Sequence, residues 1–306
     1  MRYNSYYNYR ATGAFKAMVK DIVYRLRNFL ITIFTGGRAK TILFYPEFPD
    51  WHADLHSIVF YSPYRITSNP REKFDYLINW EDATFKRPDA TLVDLLKTYR
   101  AMNLEWTDIG KEKVEEVFVK VFGYSTFVDP FTYRGKAIEK SNLNSKHSSA
   151  RFVDCPVSRV KEGFIYQKFL ENKVDDKHAL DVRLTWINGR LPIAMKRYKA
   201  QFDIFDKTLK YELAVPEKVF TPDEIDKILR FCREMKLDYA ELDTIRNNED
   251  NRLYIIDVNP AAHHPKSACS KADRKRKRAI VRENFFEQLK RFGKRKEPRG
   301  LHAQPS

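Results

Sequence analysis

The feature that most narrows what this chain can fold into is the dipeptide Asn188-Gly189, set between two runs of alternating apolar and polar residues. Asn-Gly readily supplies positive φ at two successive positions, so it closes a two-residue type I′ turn between antiparallel strands. The spacing predicts a hairpin over Asp181 to Arg197, with Asp181 facing Lys196 and Arg183 facing Ala194. Alternation then sorts the side chains. Val182, Leu184, Trp186, Leu191, Ile193 and Met195 share the face meant for a core, while Asp181, Arg183, Thr185 and Lys196 share the other. An arginine and a lysine on one sheet face suit phosphate oxygens, the arginine through its planar fork of donors. The same face can equally be solvated, with Asp181 and Lys196 paired.

A second hairpin is expected over Tyr239 to Asn259, around the polar tip Asn248 to Asn251. Centring the tip on Asp250 sets Asp243 opposite Asp257 and Glu241 opposite Asn259, all on one face, with Leu242, Ile256 and Val258 on the other. Directly opposed carboxylates repel unless a cation lies between them. Magnesium is such a cation, because it wants hard oxygen ligands and shares its shell with substrate phosphates. Asn259 adds a neutral oxygen. The alternative is one exposed aspartate and one capped by a neighbour.

With these residues the sequence resembles the ATP-grasp superfamily, over about Val117 to Pro265. The resemblance rests on Glu241-Leu242-Asp243 followed by Tyr254-Ile255-Ile256-Asp257-Val258-Asn259-Pro260, with an Asp-x-Arg hairpin ahead of them. It implies an α/β (α+β) ATP-grasp fold in which two α/β lobes hold ATP between them. An N-terminal helix and α/β lobe would occupy 1–105, the small lobe 106–160, the C-terminal lobe with the metal site 161–270, and a basic helix and tail 271–306.

The resemblance also implies roles. Asp243, Asp257 and Asn259 would bind magnesium, and Arg183, with Lys196 beside it, would contact the γ-phosphate. Lys140 would reach the α- and β-phosphates. Gln167, Lys168 and Phe169 would form the adenine hinge, with Glu171 toward the ribose. One departure is that Ser141 to Ser149, where a glycine-rich flap is expected, holds no glycine, leaving Ser, Asn, Lys146 and His147 as donors. His263 and His264 follow the second hairpin and read as surface histidines.

The activity implied is a carboxylate–amine ligase using ATP and magnesium, similar in motif layout to ATP-grasp proteins associated with cell-surface polysaccharide modification. Two alternatives remain: a kinase acting on a sugar or polyol hydroxyl, and a polyanion-binding protein with a degenerate ATP site.

Charge bears on partners rather than on fold. The 306 residues carry 56 basic and 41 acidic side chains, a formal +15, of which +10 lies between Lys266 and Arg299. A basic appendage therefore accounts for most of the excess, and no nucleic-acid-binding core is needed. The expected partners are ATP and an anionic acceptor, with a polyanion or membrane surface touched by the tail. Three scattered cysteines and no apolar signal core predict a cytoplasmic, at most membrane-peripheral protein.

Elsewhere, apolar residues at helical spacing predict a helix over Phe15 to Phe34 with Lys16, Lys20, Arg25 and Arg27 on its other side. Such a helix either packs on its own domain or lies on an anionic membrane. Strands are expected at Thr41–Tyr45, Ser57–Tyr61, Tyr76–Trp80, Lys136–Lys140, Arg151–Cys155 and Phe164–Leu170. Helices are expected at Leu92–Met102, Lys111–Phe122, Asp223–Met235 and Lys271–Lys296.

Overall fold

The computed structural model describes residues 14–144, 150–200, 208–263 and 268–294. Lys146, His147 and His264, named above, lie outside them.

The N-terminal lobe is built on a five-stranded sheet. Helix α1 (Ala14–Phe34) leads into β1 (Thr41–Pro46), α2 (Asp54–Phe60), β2 (Arg65–Thr67), β3 (Tyr76–Trp80), α3 (Ala90–Thr98) and β4 (Tyr99–Met102). β1 to β4 run parallel in the order 4-3-1-2, and a two-residue strand, Gly293–Lys294, closes the edge beside β4. Ser57–Tyr61, expected as a strand, falls within and just past helix α2. Short apolar runs are ambiguous by periodicity, and here Leu55, Ile58 and Val59 are all buried from a single helical turn and a half. The expected helix Leu92–Met102 stops at Thr98, and Tyr99–Met102 pairs as a strand instead.

Helix α4 (Lys111–Phe122) follows, and then a small antiparallel sheet of β5 (Gly135–Ser141), β6 (Arg151–Cys155) and β7 (Phe164–Lys168), ordered 6-5-7. The large sheet comprises β8 (His178–Ile187), β9 (Arg190–Ala200), β10 (Lys210–Ala214), β11 (Tyr239–Arg246) and β12 (Leu253–Asn259), ordered 10-9-8-11-12 and antiparallel throughout. Helix α5 (Pro222–Glu234) opens on a capping box at Thr221 and Glu224 and packs on this sheet beside α4. α4, placed with the small lobe by sequence, therefore shares a core with the large sheet: Val114, Phe118 and Phe122 pack with Leu184, Trp186, Phe231, Leu242 and Val258.

The opposite face of the large sheet is divided. At one end Ile187, Ile193 and Tyr239 pack under helix α6 (Lys271–Leu289) through Val281, Phe285 and Leu289, in a core continuous with the N-terminal lobe. At the other end the face is charged. Asn103, at positive φ just after β4, pins the two sheets together. Its Oδ1 accepts from the Asp238 and Tyr239 backbone N–H groups at 3.1 and 2.7 Å, and its Nδ2 donates to the Tyr239 carbonyl at 2.9 Å.

Candidate active site

The second hairpin has the expected register where it matters: Asp243 pairs with Asp257 and Glu241 with Asn259. A bulge after Asp243 shifts the remaining pairs toward the tip. The first hairpin departs from expectation by one residue. Ile187 pairs with Arg190 beside the turn, but Thr185 pairs with Ile193, so Leu191 and Pro192 together oppose Trp186. Pro192 has no N–H to give the ladder, and a bulge is where a strand accommodates that. The slip moves Arg183 opposite Met195 and Asp181 opposite Arg197. It also turns Ile193 into the core beneath α6 rather than the Trp186 core.

Lys196, expected on the charged face, is thereby put on the opposite one, 3.5 Å from Glu212. Arg197 takes its place. Its Nη2 lies 2.9 Å from Asp243 Oδ2, and its Nε donates to Asp181, which Lys199 also approaches at 2.6 Å. Arg183 forks onto Asp243 with Nε–Oδ1 at 2.8 Å and Nη2–Oδ2 at 3.0 Å. Burial works against ionisation of Asp243, but the two guanidiniums win and hold it well below the ordinary carboxylate range.

Asp257 is treated differently. Its Oδ1 is buried without a hydrogen bond, and Lys111 Nζ, from the first turn of α4, lies 3.8 Å from it. Lys140 arrives from the small sheet, its Nζ 3.4 Å from the Ile256 carbonyl. Burial and the neighbouring Lys111 push its ammonium down to about 8. Two lysines from separate elements thus converge on β12. Asn259 Oδ1 accepts from the Ala261 N–H at 2.9 Å.

Among the described residues no three carboxylate, imidazole or thiolate groups cluster as a metal cage. The orphaned Asp257 oxygen beside Asn259 suits magnesium of the kind that completes its shell with phosphate and water oxygens.

On the other side of Arg183, the helix expected as a charged appendage reaches inward. Lys277 of α6 is buried between Asp54 at 2.5 Å and Glu241 at 2.6 Å. Burial pushes the Glu241 carboxyl up, while Lys277 holds Asp54 down against the same burial. Removing one partner from such a buried set costs about 3–5 kcal/mol.

The residues expected to form an adenine hinge sit on and just after β7, an edge strand of the small sheet. The Gln167 amide is buried and donates to Thr126 Oγ1 at 2.7 Å, so that side chain is committed to the fold. The Lys168 and Phe169 backbone N–H groups donate to the Thr126 and Lys136 carbonyls. Lys168 Nζ lies 3.2 Å from Asp250, and the Glu171 N–H donates to Asn247 at 3.0 Å, tying this segment to the tip of the second hairpin. His263 is exposed.

Sequence reasoning missed Arg197, Lys199, Lys111 and Lys277. Pro192 was the available signal for Arg197. Lys111 and Lys277 are brought in by packing between distant elements and leave no trace in spacing.

A separate cavity of about 210 Å³ lies at the carboxyl ends of β1 and β3, lined by Tyr45, Asn79, Glu81, Lys86 and Asp89. β1 has β2 on one side and β3 on the other, a reversal of strand order where open parallel sheets bind ligands. Lys86 donates to Asn79 Oδ1 at 2.6 Å and lies 3.7 Å from the Trp106 ring centre, and burial pushes it down to about 7. The adjoining loop is tied to the stretch after β5, where the Asn144 N–H donates to Thr84 Oγ1 at 2.8 Å.

No protein-family profile and no curated protein sequence matches the chain. Solved structures do. A D-alanine–D-alanine ligase from Bacillus anthracis complexed with ATP is 10% identical, with a TM-score of 0.51 over 83% of this chain and 98% of that one. Another structure of the same ligase gives 12% identity and a TM-score of 0.50 over 83% and 97%. The ATP-grasp ligase PsnB, complexed with a phosphomimetic variant of its minimal precursor, Mg and ADP, is 14% identical with a TM-score of 0.42 over 59% of this chain. The chain spans 58% of that ligase's length. At these identities the likeness concerns backbone architecture, and the D-alanine–D-alanine ligases share it along almost their whole length. The chain has the ATP-grasp fold.

Proposed function

We propose that the protein is a Mg-ATP-dependent ligase that activates a carboxylate as an acyl phosphate and joins it to an amine. The observation that carries this reading is the asymmetry of the opposed pair: Asp243 is neutralised by Arg183 and Arg197, while Asp257 keeps a buried oxygen with no hydrogen bond and only Lys111 at 3.8 Å across from it among the described residues. Such a site is poised for a polyphosphate. Phosphate oxygens would compete for the two arginines, and Asp243, Asp257 and Asn259 are the residues that would hold a magnesium ion. Bound there, the metal would neutralise charge on the phosphoryl oxygens.

The chain's own groups do the rest. Arg183 and Arg197 stabilise charge spreading over the transferring phosphoryl group, and Lys140 and Lys111 hold the remaining phosphates. On the motif resemblance Lys168, Phe169 and Glu171 are assigned to adenine and ribose, through groups other than the Lys168 and Phe169 N–H groups, which the fold already uses. The cavity above β1 and β3 is the proposed acceptor site, its lining mixing Lys86 and Arg87 with Glu81 and Asp89. The setting in cell-surface polysaccharide modification rests on the motif resemblance alone.

The test is ATP consumption with candidate carboxylate and amine acceptors, comparing the wild type with Asp257→Ala. The wild type should release free phosphate and the variant should consume no ATP while unfolding at the same temperature. Phosphate retained on the product would make the enzyme a kinase, and full activity in Asp257→Ala would remove the metal assignment.

A further inference from the structure

Helix α1 is built inside out. Its apolar residues recur at helical spacing, yet Phe15, Ile22, Leu26, Phe29 and Ile33 are all more than half exposed, Phe15 by 73%. The face that meets the protein is mostly polar. Arg27 is buried, and its guanidinium donates to the carbonyls of Val59, Phe60, Ser62 and Tyr64 at 2.7–3.0 Å, around the carboxyl end of α2. Asn28 brackets Ile66, donating to its carbonyl at 2.7 Å and accepting from its N–H at 3.1 Å. Lys20 pairs with Asp50 at 2.5 Å, and the Tyr24 hydroxyl lies 3.0 Å from His56 Nε2. A helix that merely covered its own domain would turn the apolar stripe inward. This one is held by polar contacts with the stripe turned out, and a contiguous exposed stripe of that kind marks an interaction surface.

The charge around the stripe identifies the occupant. Exposed Lys16 and Arg25 border it on opposite sides of the helix. The helix has one acidic residue, Asp21, and it is 1% exposed, so the outward surface is apolar and cationic only. A second cationic element lies close by. Arg278 and Arg282 of α6 flank the exposed Tyr61, one 4.8 Å from its ring centre and the other donating to its carbonyl at 3.4 Å. Tyr61 directly follows Phe60, whose carbonyl Arg27 holds. A second copy of this chain would set two cation-bordered stripes against each other. An anionic lipid surface takes the apolar side chains between its acyl chains and pairs Lys16 and the arginines of α6 with its headgroups. No described helix is long and apolar enough to cross a membrane, so the 21-residue helix would lie in the interface plane, about 31 Å along its axis.

We infer that α1 is a membrane-docking helix that seats the enzyme on an anionic lipid surface. The inference stands apart from the ligase reading, since no residue of α1 belongs to the proposed active site.

The test is flotation of the full chain with phosphatidylcholine vesicles, with and without phosphatidylglycerol, for the wild type and Ile22→Glu/Phe29→Glu. Both substituted residues are exposed, so the variant should keep its circular dichroism and melting temperature. The wild type should float with the phosphatidylglycerol vesicles and bind phosphatidylcholine alone far more weakly. The variant should lose at least about tenfold in affinity, because two carboxylates then enter the apolar layer. Absence of binding to the anionic vesicles, or equal binding by the variant, would overturn the inference. So would a dimer in sedimentation that the variant abolishes, since a second copy would then be the occupant.

Discussion

One face of the large sheet carries two opposite environments within a few residues. At the Tyr239 end, Ile187, Ile193 and Tyr239 disappear beneath Val281, Phe285 and Leu289 of α6. At the Asp243 end, Arg183, Arg197, Asp243 and Asp257 gather charge instead. The strands are the same strands, and their alternation is the same. The difference lies in what packs above them: α6 brings phenylalanine to one end and Lys277 to the boundary with the other. A single helix both seals the core and sets the edge of the candidate active site.

The largest expected effect is at the apolar end. Phe285 is fully buried against Tyr239, with ring centres 5.8 Å apart. Phe285→Ala should lower stability by about 3–5 kcal/mol in urea melts. A loss below about 1 kcal/mol would mean that α6 does not seal this core.

At the charged end, Arg197→Met should reduce ATP turnover by about 10²- to 10³-fold, the scale for losing one preorganised donor to a transferring phosphoryl group. Arg197→Lys should recover part of it. Equal turnover in all three proteins would leave the arginine a purely structural partner of Asp181 and Asp243.

Between these lies a pH-dependent effect at the seam. Burial pushes the Asp238 carboxyl up to about 6, and it accepts from the Asn103 N–H at 2.7 Å. A raised carboxyl pKa means that the folded chain holds a proton the unfolded chain has released. Its contribution to stability is therefore complete below about pH 4 and lost as pH rises through about 6. Asp238→Asn does not titrate, so its stability relative to wild type should rise by on the order of 2 to 3 kcal/mol between pH 4 and 7. Parallel stability profiles would refute this.

The smallest effect is the control for the bulge. Lys196→Met, one residue from Arg197 but on the other face, should leave turnover unchanged and shift stability by no more than about 0.5 kcal/mol. A large loss of turnover would return Lys196 to the charged face.

Much of the site was legible because it is local. The facing of Asp243 and Asp257, and of Glu241 and Asn259, follows from strand alternation and a short polar tip. The first hairpin was legible in its turn and not in its register, because a two-residue turn sets pairing only as far as the ladder stays regular. Pro192 interrupts it almost at once. Residue Ser57 shows the same limit in the N-terminal lobe, where a short apolar run suits strand and helix alike.

By itself the sequence determined the hairpins, their opposed carboxylates and the amphipathic helices, since each depends on near neighbours and on the two- or 3.6-residue repeat of the backbone. Only tertiary structure decided that Lys111, Lys140 and Lys277 meet the second hairpin from three directions, and that α1 turns its apolar side outward. A repeat says which side chains share a face. Which face is buried depends on the donors and acceptors that distant segments present: here four carbonyls around the end of α2 hold Arg27 and thereby turn the helix.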